Sequence, residues 1–77
     1  MPVVGQIVTV NISRPDWPPV LRPGVVLSVA GNGAPTVQVW VSPADDDLVR
    51  QLGGDWGPSY WIGFGLTQGA GSGEWQP

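Results

Sequence analysis

The side chains of this sequence that can do chemistry are six acids and three arginines, since it contains no cysteine, histidine or lysine. Three of the acids are consecutive: Asp45, Asp46 and Asp47. Calcium loops place their acids at alternating positions, whereas consecutive aspartates point in different directions. We therefore interpret the acidic run as a solvated loop or the first turn of a helix, in preference to a metal site.

The remaining acids do not form a convincing catalytic pair. Asp16 and Glu74 are the acids that could be imagined as general acid and base, but no nucleophile and no apolar pocket is implied beside them. A zinc site is nearly excluded because the chain offers neither thiolate nor imidazole. We therefore expect no enzymatic activity, no catalytic residues, no cofactor and no metal.

Tryptophan is abundant by contrast, with five residues in 77. Each indole can bury roughly 150–250 Å² and anchor a contact. We expect at least two of the five to lie in intermolecular contacts. The candidate interface residues are Trp17, Trp40, Trp56, Tyr60, Trp61 and Trp75. Two of these residues have an alternative role. Trp17 can fold down as a lid over one end of its own barrel, and Trp75 can either dock into its own barrel or bind a neighbouring subunit.

Length and charge limit the structure and its partners. The 77 residues predict a single domain over residues 1–77, too small for a core that stabilises it strongly. Without disulfides, association is the reinforcement that we expect. The net charge of −3 provides no basic stripe for nucleic acid or for an anionic membrane. There is no apolar run of the ~20 residues that a membrane span needs, and we expect no secretory signal.

Alternating apolar residues predict strands at residues 5–12, 24–29, 36–41 and 60–66. A proline-rich ordered loop is expected at residues 13–23 and a tight turn at residues 30–35. Residues 43–52 are expected to form a helix of at most two turns, with an irregular loop as the alternative. Residues 67–73 are expected to be flexible, within a glycine-rich tail that spans residues 67–77. The predicted core is Val8, Val10, Val25, Leu27, Val37, Val39 and Phe64.

Four or five short strands with glycine- and proline-rich connections predict an all-β fold. A long loop after the first strand, then a tight hairpin and a longer excursion, favours a small, partly open SH3-like β-barrel. An OB-like barrel is the alternative.

Several segments carry a resemblance to a known group of proteins. They are Gly5-Gln-Ile-Val-Thr-Val10, Arg22-Pro-Gly-Val-Val-Leu-Ser-Val29, Val37-Gln-Val-Trp-Val41 with an Asp-containing loop after it, and the ending Gly73-Glu-Trp-Gln-Pro77. Together they resemble the small SH3-like-barrel structural proteins of tailed bacteriophages. The chain departs from that pattern at Gly24, where alanine is common, and in having one tryptophan in its ending.

The resemblance implies a non-enzymatic virion protein of the capsid decoration or cement type, which stabilises the phage head lattice. Its implied partners are the major capsid protein or other virion proteins, with self-association on the particle. Its implied location is the capsid surface, and the host cytoplasm before assembly. The resemblance transfers no catalytic residues.

Two other functions remain open from the residues alone. An SH3-type module could capture proline-rich peptides on an acidic, tryptophan-lined groove, although the Ala-Leu-Tyr-Asp-Tyr strand of signalling SH3 domains is missing. A carbohydrate-binding module could use exposed tryptophan faces.

Overall fold

The computed structural model describes residues 2–77 and shows an antiparallel sheet with one short helix. The strands are β1 (Ile7–Asn11), β2 (Leu21–Val29), β3 (Pro35–Trp40), β4 (Asp55–Gly57), β5 (Tyr60–Gly63) and β6 (Trp75–Gln76). A 3-10 turn, Pro43–Asp45, leads into helix α1, Asp46–Leu52. The all-β class and the short helix within residues 43–52 are therefore confirmed.

The strands lie in the order β4-β5-β3-β2-β1-β6. Strands β1, β2, β3 and β5 form an antiparallel meander, and β6 returns from the end of the chain to pair with β1. This order is that of a small, open SH3-like barrel, and it lacks the Greek-key connection of an OB barrel. Its two edge strands, β4 and β6, are the shortest, which leaves little unpaired backbone exposed.

The core lies on the inner face of this sheet and against α1. Four of the seven predicted core residues are buried there: Val8, Val10, Val37 and Val39. The other members of the buried cluster are Ile12, Val26, Val49, Trp61 and Trp75. The prediction for Val25, Leu27 and Phe64 is wrong, because Val25 is half-buried while Leu27 and Phe64 are exposed.

A β-bulge explains the error in β2. Val26 pairs with Val37 and Ser28 pairs with Thr36, so Leu27 is an extra residue between the two pairs. One inserted residue moves the alternation to the other face of a strand. Val26 therefore points inward before the bulge, and Val29 packs against the core after it. The alternation of Val25, Leu27 and Val29 predicts that all three point inward, and this prediction is correct only for Val29.

The last long strand is shorter than expected and presents its other face to the core. Trp61 lies opposite Val39 and is buried, whereas Phe64 lies beyond the end of β5 and is 61% exposed. Gly63 makes this possible, since a Cβ atom there would collide with the Trp61 ring. The Trp61 ring therefore packs closely against Gly63.

Helix α1 covers the open side of the barrel. Val49 is fully buried, and Leu48 and Leu52 pack partly against the core. Gly53, with φ +77°, follows the last helical residue, a position where glycine commonly ends a helix. Within residues 2–77, no helix is long and apolar enough to cross a membrane.

The glycine-rich segment after residue 66 is bound back onto the barrel. Asn11 of β1 holds this segment through two hydrogen bonds. Its side-chain Nδ2 donates to the Ala70 carbonyl at 3.1 Å, and its backbone carbonyl accepts from the Gly73 N–H at 2.7 Å. Ser72 Oγ donates to the Ser13 carbonyl at 2.6 Å. The expectation of a flexible residue 67–73 segment is therefore wrong, and the segment delivers Trp75 to the core as part of β6.

Candidate interaction surface

Strand β2 carries apolar residues on both of its faces. Its inward positions are Arg22, which lies opposite the buried Val10, then Gly24, Val26 and, after the bulge, Val29. Its outward positions are Leu21, Pro23, Val25, Leu27 and the polar Ser28. An antiparallel strand with one solvated face normally alternates apolar and polar residues. The pattern of β2 is therefore that of a strand covered on both sides, although its outer side is uncovered in this chain.

The neighbouring strands extend this apolar region. Ile7 of β1 lies opposite Val25, and Val25 lies opposite Gln38 of β3. Gln38 lies opposite Ile62 of β5, and Trp40 lies opposite Tyr60. Residues opposite each other in a sheet share a face, so these side chains form one surface. We call it the outer face: Ile7, Thr9, Leu21, Pro23, Val25, Leu27, Ser28, Thr36, Gln38, Trp40, Asp55, Tyr60, Ile62 and Gln76.

Asp55, opposite Ile62 on edge strand β4, is the charged member of the outer face, and several apolar members are well exposed. Ile7 is 61% exposed, Leu21 52%, Trp40 45% and Leu27 42%. Glu74 borders the face near β6, where its Oε1 accepts the Gly71 N–H at 2.7 Å. Among the described residues, these two acids lie at opposite edges of the sheet, and the outward positions of β1, β2 and β3 carry no charge.

Trp17 lies apart from the outer face, in the loop between β1 and β2. The Trp17 N–H donates to the Arg14 carbonyl at 3.2 Å, which closes a turn with Asp16 at φ +65°. A left-handed φ is unusual for an aspartate and costs free energy. The Arg14 guanidinium stacks over the indole at 5.2 Å from its centroid. The turn thus holds Trp17 at 59% exposure, so it does not act as a lid.

Trp56 forms a second tryptophan–arginine pair at the β4 edge. The Arg50 guanidinium of α1 lies 5.0 Å from the Trp56 ring centroid. Trp56 pairs with the inward-pointing Trp61 and is 39% exposed, so it covers the space between the sheet edge and the helix. Tyr60 is half-buried, because its ring lies across Gly57 on the outer face.

Trp61 and Trp75 are core residues, so their assignment to the interface is wrong for the free chain. Their exposed fractions are 2% and 3%. The Trp61 indole N–H donates to the Gly53 carbonyl, which satisfies the polar end of the ring inside the fold. Trp75 lies opposite Val10 in the pairing of β6 with β1. Of its two alternatives, Trp75 therefore docks into its own barrel.

The acidic run is the start of the helical segment, and its first member has a structural role. Asp45 accepts two hydrogen bonds from Arg22, each at 3.0 Å, and one from the Ser42 backbone N–H at 3.1 Å. The Arg22 hydrogen bonds hold the pKa of Asp45 below its ordinary value, although burial opposes them; the Ser42 N–H adds to the lowering. The pair joins β2 to the turn before α1.

Among residues 2–77, no three His, Cys, Asp or Glu side chains are grouped so as to hold a metal ion. A shallow cavity of about 170 Å³ lies beside the outer face, with Pro19, Leu21 and Ala70 among the residues in its walls. The side chains around this cavity and on the neighbouring strands offer apolar contact area.

The comparisons with known proteins give no further guide: no family model matches the sequence, and no curated protein and no solved structure matches it.

Trp40 is the one candidate interface tryptophan that lies on the outer face. Leu21, Leu27 and Ile7 are not predicted as surface contacts: the sequence pattern assigns Leu27 to the core and Leu21 to the proline-rich loop at residues 13–23, and it does not assign Ile7. The signal was nevertheless present, since β2 carries apolar residues at consecutive positions around Val25 and Val26. Apolar residues on both faces indicate that a strand is covered on both.

Proposed function

We propose that this chain is a non-enzymatic structural protein of a bacteriophage particle, a decoration protein that stabilises the capsid lattice. The observation that carries the proposal is the outer face, whose central strands present the exposed apolar side chains of Ile7, Leu21, Leu27 and Trp40 and no charge in the isolated chain. Large exposed apolar patches on small soluble proteins mark sites of association. The resemblance to phage SH3-like structural proteins supplies the kind of assembly, and the major capsid protein is the proposed partner.

The composition of the surface supports assembly through apolar contact. Exposed ion pairs contribute about 0–1 kcal/mol each and are screened by salt. Two of the three arginines, Arg14 and Arg50, instead lie over indole rings. A single aromatic anchor in an interface is worth about 2 kcal/mol or more. Attachment to the particle should therefore depend on side chains such as Trp40 and change little with ionic strength.

The test is quantitative mass spectrometry of intact phage particles purified from the source of this sequence. We expect the chain in fixed proportion to the major capsid protein, retained when the particles are washed at low and at high salt. Particles formed with Trp40→Ala should retain less of it, whereas Arg50→Ala is the matched control and should be retained as the wild type is. Absence of the chain from particles, or its removal by salt alone, would refute the proposal.

A second candidate is capture of an apolar peptide side chain, favoured by the cavity that Pro19 and Leu21 line. A proline-rich peptide titrated into the isolated chain separates the two functions. The peptide-binding function would be favoured if the peptide binds saturably, if Leu21→Ala weakens that binding, and if the chain is absent from phage particles. The absence of saturable binding in both calorimetry and tryptophan fluorescence would exclude it.

A further inference from the structure

The turn between β2 and β3 contains an asparagine that is followed directly by a glycine, Asn32 and Gly33. The backbone nitrogen of the residue after an asparagine can attack the side-chain Cγ, and a glycine there places no Cβ in the way. We propose that Asn32 is a site of spontaneous covalent modification, at which its side-chain amide cyclises with Gly33 and is then hydrolysed to an acid. The reaction is intramolecular and needs only water, so it does not depend on what the chain binds.

The modification consists of two steps. In the first, the Gly33 nitrogen loses its proton to solvent and bonds to Asn32 Cγ, while the Cγ–Nδ2 bond breaks and ammonia leaves, which forms a cyclic succinimide. In the second, water opens the ring at either carbonyl. Opening at Cγ leaves aspartate, and opening at the Asn32 backbone carbonyl leaves isoaspartate, whose main chain runs through the former side chain. The net change replaces a neutral amide by a carboxylate and releases ammonium.

The conformation of the turn favours the attack. Asn32 is exposed, and its Oδ1 accepts the Ala34 N–H at 3.0 Å. This hydrogen bond folds the side chain back toward the backbone of Gly33 and draws electron density from Cγ, as a donor does in an oxyanion hole. Gly33 adopts φ +85°, which a glycine does without strain. A Cβ on the neighbouring Gly31 would meet nothing within 4 Å, so the end of the turn is open to water.

One hydrogen bond of the turn opposes the reaction. The Gly33 N–H donates to the Ala30 carbonyl at 2.9 Å, and this proton must leave before the nitrogen can attack. The turn therefore opens at Gly33 before the ring can close. Exposed turns open at little free-energy cost compared with the core of a fold. Breaking one hydrogen bond of ordinary strength should slow the reaction in the folded chain by about 3- to 10-fold relative to the unfolded chain.

Two other amides of the chain serve as internal comparisons. Gln68 is also exposed and also precedes a glycine, but its longer side chain would have to close a larger ring, which forms more slowly. Asn11 is buried with its amide hydrogen-bonded, and the β-branched Ile12 that follows it crowds the attack. Asn32→Gln is the matched variant, because it keeps an amide at the same exposed position and lengthens the side chain by one methylene.

The experiment is storage of the full chain at neutral pH, folded and in urea, followed by peptide mapping with mass spectrometry that separates aspartate from isoaspartate. We expect both products at Asn32 in both samples, formed about 3- to 10-fold more slowly in the folded chain, while Gln68 and Asn11 keep their amides. Anion exchange should resolve an acidic form with one more negative charge than the −3 of the original chain, and Asn32→Gln should not produce it.

An Asn32 amide that persists in the folded chain long after the urea sample has converted would overturn the modification of the native protein. Equal conversion at Gln68, or an acidic form that Asn32→Gln produces as fast as the wild type, would show that Asn32 is not the site. Aspartate without isoaspartate would mean direct hydrolysis and would overturn the cyclisation with Gly33. None of these outcomes bears on attachment to phage particles, which the mass spectrometry of particles tests separately.

Discussion

Asn11 should be the most sensitive polar residue of this fold. Its side-chain Oδ1 accepts hydrogen bonds from the Ser13 N–H at 3.0 Å, the Ser13 hydroxyl at 2.7 Å and the Val20 N–H at 3.1 Å. Its Nδ2 donates to Ala70 at 3.1 Å. One buried amide therefore holds both ends of the proline-rich loop and the segment that carries β6.

The cost of Asn11→Ala follows from these four bonds. A hydrogen bond contributes about 1 kcal/mol net, and more when a buried partner is left unsatisfied, so the loss is about 4 kcal/mol. A domain of this length has a free energy of unfolding of about 4–12 kcal/mol. Since 1 kcal/mol corresponds to about 4–8 °C for a domain of this size, Tm should fall by about 15–30 °C.

Thermal and urea unfolding followed by circular dichroism measure this effect. Asn32→Ala is the control, because it removes one hydrogen bond, to the Ala34 N–H, in an exposed turn. Its cost should stay below about 1 kcal/mol. In Asn11→Ala, hydrogen exchange should also accelerate at the Ser13 and Val20 amides. If Asn11→Ala melts within about 4 °C of the wild type, the proposed role of this side chain is wrong.

Two further changes test the packing and the ion pair. Gly63→Ala should lower the free energy of unfolding by about 1–3 kcal/mol, because the added Cβ would collide with the Trp61 ring. Gly31→Ala is the control and should leave the free energy of unfolding unchanged, since its Cβ would meet nothing within 4 Å. Equal urea midpoints for the two variants would reject the packing of Trp61 on Gly63. The lowered pKa of Asp45 stabilises the fold fully at neutral pH, and this contribution is lost as pH falls from 3.8 through the lower folded-state pKa. Asp45→Asn should therefore reduce Tm at pH 7 and flatten its fall in acid, whereas an unchanged Tm–pH curve would contradict the role of the Arg22 pair.

The sequence predicts those parts of the fold in which apolar residues alternate regularly and glycine or proline marks the turn. The hairpin of β2 and β3 combines alternating valines with a turn in which Gly33 takes φ +85°. The helical segment is flanked by Ser42, the N-cap of the 3-10 turn Pro43–Asp45, and by Gly53, the C-cap of α1, as capping preferences require. In these segments the neighbours along the chain determine the conformation.

The errors arise where contacts with residues far away in the sequence determine the local structure. The bulge at Leu27 adds one residue between pairs with β3, and a local pattern does not report it. In β5, apolar residues occupy both faces, so periodicity alone does not choose between Trp61 and its neighbours. The glycine-rich segment has a flexible composition, but a hydrogen bond between residues 59 positions apart orders it on Asn11.

The candidate surface was predicted only in part for the same reason. Tryptophan content identifies rings that can anchor a contact, but it does not separate buried Trp61 and Trp75 from exposed Trp40 and Trp17. Strand pairing is needed to show that Trp40 shares a face with Ile7 and Leu27.

The central claim is that the outer face is covered when the protein is assembled. Hydroxyl-radical footprinting of the dilute chain and of phage particles measures this directly, with Trp40 and Leu27 as reporters and buried Trp75 as the internal control. The account predicts that oxidation of Trp40 and Leu27 falls strongly in the particle while oxidation of Trp75 stays low in both states. Equal oxidation of Trp40 and Leu27 in the free chain and in particles that contain it would contradict the account.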